Sequence, residues 1–130
     1  MQNTLTGYIS VTHPILVANS LTNAINVTAT ATAEQMVKGV ITSTSAAAVA
    51  ITTPTSAAIM AALEGVSGSY YDFVIDNTAG SNTVTLTLDA SITAESAVTG
   101  GTTLTVSSGH AGHFRLYFYS ATAAKIARLA

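Results

Sequence analysis

Cysteine and tryptophan are absent from this chain of 130 residues, and proline occurs only twice. Without cysteine the chain cannot form a disulfide framework, a cysteine-ligated zinc site or a thiol nucleophile. Charged residues are also scarce, at 8 % of the chain, against about 25 % in typical soluble domains. The net charge is −2, so the basic patch that nucleic-acid binding requires is missing.

Long apolar runs are missing as well. No segment approaches the ~20 consecutive apolar residues that a membrane helix needs. The first fourteen residues, MQNTLTGYISVTHP, have neither the basic start nor the apolar run of a secretory signal. We therefore expect that the protein has no membrane partner and that it is made in the cytoplasm.

Threonine, serine and alanine make up much of the chain, with 22, 13 and 23 residues. Threonine suits strands, and serine suits turns. A surface with so little charge repels other copies only weakly, so we expect much of it to be covered by copies of the chain or by a partner. The alternative is a monomer whose surface is coated with threonine and serine.

The clearest pattern lies in residues 70–89, YYDFVIDNTAGSNTVTLTLD. Apolar and polar side chains alternate in both halves, as in strands with one buried face. Between the halves, residues 77–82 are turn formers. The pattern predicts a β-hairpin, with Tyr70, Asp72, Val74 and Asp76 on the wetter face of its first strand. The predicted core positions are Tyr71, Phe73, Ile75, Val84, Leu86 and Leu88.

Alternation also predicts short strands elsewhere, and Gly39 marks a bend or bulge within the segment 35–43. Glycine and serine clusters separate the strands. We expect an irregular segment over 91–99 and a loop over 108–112. The predicted strands are 24–33, 35–43, 47–53, 104–106, 113–120 with Phe114, Leu116 and Phe118 inward, and 123–129 as an edge strand.

Only residues 55–64 have a helical pattern. Pro54 precedes the segment, Thr55 or Ser56 can cap its free amide groups, and Gly65 can close its far end. A helix of about nine residues is not stable alone, so it must lie across the sheet or one end of it.

Together these elements predict a mainly β fold, an antiparallel β-sandwich or barrel-like domain with one short helix, over residues 24–130. Residues 1–23 are interpreted as an extended N-terminal arm, in which Pro14 interrupts regular structure. The arm either reaches a neighbouring subunit or supplies the first strand of the same domain.

The inventory of reactive residues is poor. His110 and His113 have no further metal ligand nearby in the sequence. Asp72 and Asp76 are about 13 Å apart along one strand, too far for a glycosidase pair. Asp89 could approach them across the hairpin, but no dense oxygen-ligand loop for calcium is present. Neither a G-x-S-x-G elbow nor a phosphate-binding loop occurs. We therefore expect no catalytic site, no metal and no cofactor.

One stripe of residues has the chemistry of a protein interface. Arg115, Tyr117 and Tyr119 share the strand face opposite the core, and aromatic residues and arginine are enriched at interfaces. An ordinary strand face covered by another strand is the alternative. The candidate interface residues are Leu5, Ile9 and Val11 of the arm, together with Arg115, Tyr117 and Tyr119.

Three stretches of residues 51–129 follow one another in an order that resembles small virion structural proteins of tailed bacteriophages. They are TTPTSAAIMAALEG, then YYDFVIDNTAGSNTVTLTL, then GGTTLTVSSGHAGHFRLYFYS. A short helix led by Pro-Thr, the F-x-I-x-N-T-x-G-x-N-T-V-T-L pattern and a glycine loop before F-R-L-Y recur together in that setting. The N-terminal part of the chain carries no part of the resemblance.

The resemblance implies a non-enzymatic capsid decoration, or head cement, protein. Such a protein is a virion component seated on the outer capsid surface, where it would bind the major capsid protein and form a homotrimer. The same pattern occurs in phage fibre and tail modules, which leaves a module that binds a host-surface glycan as the alternative. A glycan-degrading enzyme would need convergent carboxylates, which this chain hardly supplies.

Overall fold

A computed structural model describes residues 23–95 and 104–130. Within these ranges the chain forms nine strands and two helices. In chain order they are β1 (Ala29–Thr30), α1 (Ala33–Met36), β2 (Val40–Thr42), β3 (Val49–Thr52), α2 (Ser56–Ala62), β4 (Tyr70–Asn77), β5 (Val84–Thr87), β6 (Ile92–Ala94), β7 (Thr105–Val106), β8 (His110–Phe118) and β9 (Ala124–Arg128).

The strands form two sheets. The four-stranded sheet has the order β1-β3-β5-β7, and the five-stranded sheet has the order β2-β4-β8-β9-β6. From β1 to β8, each strand lies in the opposite sheet from the strand before it. Several pairs of strands that are two apart along the chain lie side by side and are parallel: β1 with β3, β3 with β5, and β2 with β4.

The inward faces of both sheets contribute to one hydrophobic core. In β3, β5 and most of β8, buried side chains alternate with exposed or half-buried ones, as the two-residue period of a strand requires. Helices α1 and α2 each add a fully buried residue, Met36 and Ile59. The largest fully buried side chains are Phe73, Phe114, Phe118, Met36, Ile41, Ile51, Ile59, Ile75, Leu116 and Ile126.

The predicted hairpin over 70–89 is wrong in its pairing, although both of its strands are present. Strand β4 pairs with β2 and β8, whereas β5 pairs with β3 and β7 in the other sheet. The connection 78–83 therefore crosses from sheet to sheet. A crossing and a hairpin both place one apolar face in the core, so alternation alone does not distinguish them.

The buried Asn77 holds this crossing together. Its side-chain amide donates to the carbonyl oxygens of Asn82, at 2.7 Å, and of Val106, at 3.0 Å. Gly80 packs directly on the same side chain, because a Cβ at residue 80 would collide with Oδ1 of Asn77. The turn residues thus serve to fasten two sheets rather than to reverse one strand on itself.

The mainly β class is confirmed, but the antiparallel, barrel-like arrangement is wrong. Both sheets mix parallel and antiparallel pairs, and neither closes on itself. Strand β9 is also not the predicted edge strand: it lies between β8 and β6, and β6 is part of the segment predicted to be irregular. Strand β8 begins at His110, inside the predicted loop 108–112.

Most of the predicted strand 24–33 is not a strand. Ala24 forms an isolated bridge with Thr42, β1 has only two residues, and Val27 is largely exposed. At the end of the segment, Thr32 accepts from the backbone N–H of Gln35, and the Gln35 side chain accepts from the backbone N–H of Thr32. This capping box begins helix α1 and so stops the strand.

The predicted helix over 55–64 is present as α2, and Thr55 is its N-cap residue, but the expectation of one helix is wrong because α1 is a second. The hydroxyl oxygen of Thr55 accepts from the backbone N–H of Ala58 at 3.2 Å. At the far end, Glu64 rather than Gly65 adopts the left-handed conformation, with φ of 52°. The N–H of Gly65 then donates to the carbonyl of Met60, which closes the helix in a Schellman motif.

Candidate functional site

The outward face of the five-stranded sheet brings together residues that are far apart in the sequence. The antiparallel register of β4 and β8 places Tyr70 opposite Tyr117 and Asp72 opposite Arg115. We call these four residues the tyrosine patch. Tyr70 is 61 % exposed and Tyr117 is 40 % exposed.

Arg115 and Asp72 form a two-pronged ion pair at the centre of the tyrosine patch. The Nε of Arg115 donates to Oδ1 of Asp72 at 2.6 Å, and Nη2 donates to Oδ2 at 2.8 Å. This geometry is among the most directional that side chains offer. The hydrogen bonds from Arg115 lower the pKa of Asp72, and the same pairing raises the pKa of Arg115.

The guanidinium group of Arg115 also orders the aromatic side chains. Its central carbon lies 4.2 Å from the centroid of the Tyr70 ring, in a cation–π contact. The rings of Tyr70 and Tyr117 are 6.5 Å apart and are tilted by 47°. The ion pair therefore fixes the position of Tyr70, whose ring is otherwise largely open to solvent.

The surroundings of the tyrosine patch are polar and balanced in charge. Nε2 of His113 lies 3.5 Å from Oδ2 of Asp72. Lys125, which pairs in register with Tyr117, lies 3.5 Å from a carboxylate oxygen of Glu95. Two cations and two carboxylates thus stand around the two tyrosine rings, so the patch and its flank have no net charge with His113 neutral.

The outward face of the four-stranded sheet has a different chemistry. Its strand positions carry threonine and alanine and no charged side chain, within the part of the chain that the structure describes. Its side chains form two rows, each made of residues that are paired in register on neighbouring strands. We call this surface the threonine face, and it consists of Thr30, Thr52 and Thr87 in one row and Ala50, Thr85 and Thr105 in the other.

The predicted interface residues are only partly brought together. Arg115 and Tyr117 lie in the tyrosine patch, whereas Tyr119 follows the end of β8 and is 56 % exposed outside the ring pair. Leu5, Ile9 and Val11 lie outside the described residues. The alternation of residues placed Tyr70 and Asp72 on the solvent-facing side of their strand. Nothing in the sequence indicated that β4 would pair with β8.

The two histidines do not converge with each other, and neither do Asp76 and Asp89. His110 and His113 lie on opposite faces of β8, and Nδ1 of His110 lies 2.8 Å from the carbonyl oxygen of Ser108. Asp76 accepts from Thr78, and Asp89 accepts from Ser91. The hairpin across which Asp89 could have approached Asp72 and Asp76 is not formed, because Asp89 follows a strand of the other sheet.

These separate contacts also lower the pKa values of the aspartates. The side-chain hydrogen bond from Thr78 lowers the pKa of Asp76, and the one from Ser91 lowers the pKa of Asp89. Each of the three aspartates is thus held in its ionised form by its own neighbours. Among the described residues, no three histidine or acidic side chains gather into a group that could hold a metal ion.

Comparison with known proteins gives no assignment: no family model, no curated protein and no solved structure matches the chain. The helices α1 and α2 are both too short to cross a membrane.

Proposed function

We propose that this protein is a non-enzymatic virion structural protein that decorates a phage capsid and stabilises it by binding the outer shell at subunit junctions. The observation that supports this proposal is the threonine face. Two rows of threonine and alanine side chains, paired in register over the four strands of this sheet, contain no charged residue. A surface of this kind can be buried against a partner without leaving an unpaired charge.

The stabilising effect follows from mass action. A protein that binds the assembled shell and not its separated subunits shifts the equilibrium toward assembly. In this proposal the partner is the major capsid protein, and the decoration protein itself is a homotrimer whose two sheets, sharing one core, form a mixed β-sandwich. Residues 1–23 are proposed as an arm that adds contacts through Leu5, Ile9 and Val11.

Shell binding is tested with capsid shells of the encoding phage that lack the protein. We expect the added protein to saturate sites on the outer shell in an electron-microscopy reconstruction, and the decorated shells to withstand higher temperature. Thr85→Lys with Thr87→Lys places two charges on the threonine face and should abolish binding. Density on the tail or a fibre instead of the shell would overturn the proposal.

Thr93→Lys is the matched control for this experiment. Thr93 is an exposed strand residue on the outward face of the five-stranded sheet, in register with Lys125. The substitution adds one positive charge at a surface that the proposal does not use. We expect shell binding to persist. If this variant alone lost binding, the contact with the shell would have to lie on the five-stranded sheet.

A second function, a fibre or tail module that binds a host-surface glycan, is favoured by the exposed tyrosine pair. Tyr70 and Tyr117 present aromatic rings beside an ordered carboxylate and guanidinium. Small-molecule sites typically combine aromatic side chains with a small number of precisely placed polar groups. This function uses the sheet face opposite to the threonine face, so the two can be tested separately.

A further inference from the structure

The tyrosine patch is assembled before any ligand arrives. The ion pair between Asp72 and Arg115 is made in full within the chain, and Arg115 holds Tyr70 through its ring. A ligand that lands on the two rings would not have to order these side chains. Binding sites prepared in this way lose less conformational entropy on binding.

Charge restricts what the tyrosine patch can bind. Arg115 already faces a carboxylate at 2.6 Å, and Lys125 lies 3.5 Å from Glu95. An anionic ligand would have to compete with these carboxylates for the cations, and it would approach two negative groups. A neutral ligand meets no such repulsion.

The size of the patch restricts the ligand further. A stable protein interface buries about 800 Å² on each partner around an apolar centre. Here two tyrosine rings 6.5 Å apart are flanked by charged pairs, Asp72 with Arg115 and Glu95 with Lys125. The aromatic area suits one or two small rings rather than a protein surface.

We propose that the tyrosine patch binds a neutral saccharide. The apolar C–H face of a sugar ring would pack on Tyr70 and Tyr117. Its hydroxyl groups would donate to the remaining lone pairs of the Asp72 carboxylate, which has about four acceptor sites in all. This inference rests on the second candidate function and names its ligand class and its residues. It is independent of shell decoration, because the threonine face lies on the other sheet.

The test uses the whole chain and follows its tyrosine ring signals by NMR during titration with neutral probes: methyl glycosides of glucose, galactose and N-acetylglucosamine, and lactose. Sialyllactose is the anionic probe. We expect at least one neutral probe to shift the ring signals of Tyr70 and Tyr117 in a saturable way, and Tyr70→Ala to weaken that binding about tenfold or more. The anionic probe should bind more weakly than lactose.

Tyr119→Ala is the matched control, because Tyr119 is similarly exposed, at 56 %, but lies outside the ring pair. Its affinity should equal that of the natural chain. Arg115→Lys keeps the charge but cannot form the two-pronged pair, so its affinity should fall. Saturable binding that survives in Tyr70→Ala, a preference for sialyllactose, or no shift with any neutral probe would each overturn the inference.

Failure of this inference and failure of shell decoration are distinguishable. Tyr70→Ala should bind shells as the natural chain does, whereas the pair Thr85→Lys and Thr87→Lys should bind saccharide normally. If Tyr70→Ala instead separates a self-associated form of the protein into smaller units, the patch is an interface between copies and the saccharide inference is wrong.

Discussion

At the scale of single residues, Gly80 is tightly constrained by its contact with Asn77. The Asn77 side chain is fully buried and donates to two backbone carbonyls in different segments. It cannot move without losing both hydrogen bonds. A Cβ at residue 80 would strike this side chain and would also lie 3.3 Å from the carbonyl oxygen of Ser43.

Gly80→Ala should therefore lower the free energy of unfolding by about 2 kcal/mol, as measured by chemical denaturation. Gly65→Ala is the control: a Cβ there meets its nearest neighbours, on Met60 and Ser69, at 3.4 Å. Its effect should stay within about 0.5 kcal/mol. Equal effects of the two substitutions would mean that the packing of Gly80 on Asn77 does not support the crossing between the sheets.

At the scale of elements, the chain pairs strands that are distant in sequence and separates strands that are adjacent. Strands β4 and β8 are matched over eight residue pairs, from Tyr70 with Tyr117 to Asn77 with His110. The pair of Asp72 and Arg115 lies within this ladder and joins the two strands by their side chains. Asp72 thereby couples the pairing of β4 and β8 to pH.

Because the pKa of Asp72 is lowered in the folded chain, chiefly by its hydrogen bonds with Arg115, the unfolded chain binds the proton more readily. The stabilisation is present above the ordinary aspartate value of 3.8 and is lost as the pH falls through the lowered value. Asp72→Asn should be less stable than the natural chain at pH 7, and the difference should shrink toward about pH 2.

Chemical denaturation at both pH values measures this difference. Glu34→Gln is the control, since Glu34 is 83 % exposed and its carboxylate lies 3.9 Å from Lys38. Surface pairs of this kind contribute little, so this variant should follow the natural chain at both pH values. A stability gap for Asp72→Asn that is the same at pH 7 and at low pH would contradict the role assigned to the ion pair.

At the scale of the whole molecule, the two sheets present unlike surfaces. The threonine face has no charged side chain at its strand positions, whereas the outward face of the five-stranded sheet carries both ion pairs described above. Six acidic and four basic residues in 130 leave little long-range field. Contacts made through the threonine face should therefore depend on burial rather than on attraction between charges.

The expected consequence is an association that is nearly independent of salt. The proposed homotrimer and the proposed complex with shells should change their dissociation constants by less than about threefold between about 0.05 M and about 0.5 M sodium chloride. Light scattering measures the first and sedimentation with shells the second. A steep loss of affinity with salt would place the contact on charged groups, and a monomer mass at every concentration would contradict the trimer.

The local choices in this protein follow from the sequence by itself. Alternation identified the strands that became β3, β4, β5, β8 and β9, and in β4, β5 and β8 also their buried faces, because a strand with one face in a core must repeat every two residues. Pro54 and Thr55 located the one helix that was predicted. The outward position of Arg115 and Tyr117 followed from the same alternation, and so did that of Tyr70 and Asp72.

Strand partners were decided only by the tertiary structure. An apolar face is buried equally well in a hairpin and in a crossing between two sheets that share a core, so residues 70–89 satisfied both, and the hydrogen bonds of Asn77 with Asn82 and Val106 belong to the crossing. Tyr70 and Tyr117 are 47 residues apart, and no local pattern carries the information that they meet. Both proposed surfaces arise in this way, because a sheet face is assembled from strands whose neighbours are chosen by packing over the whole chain.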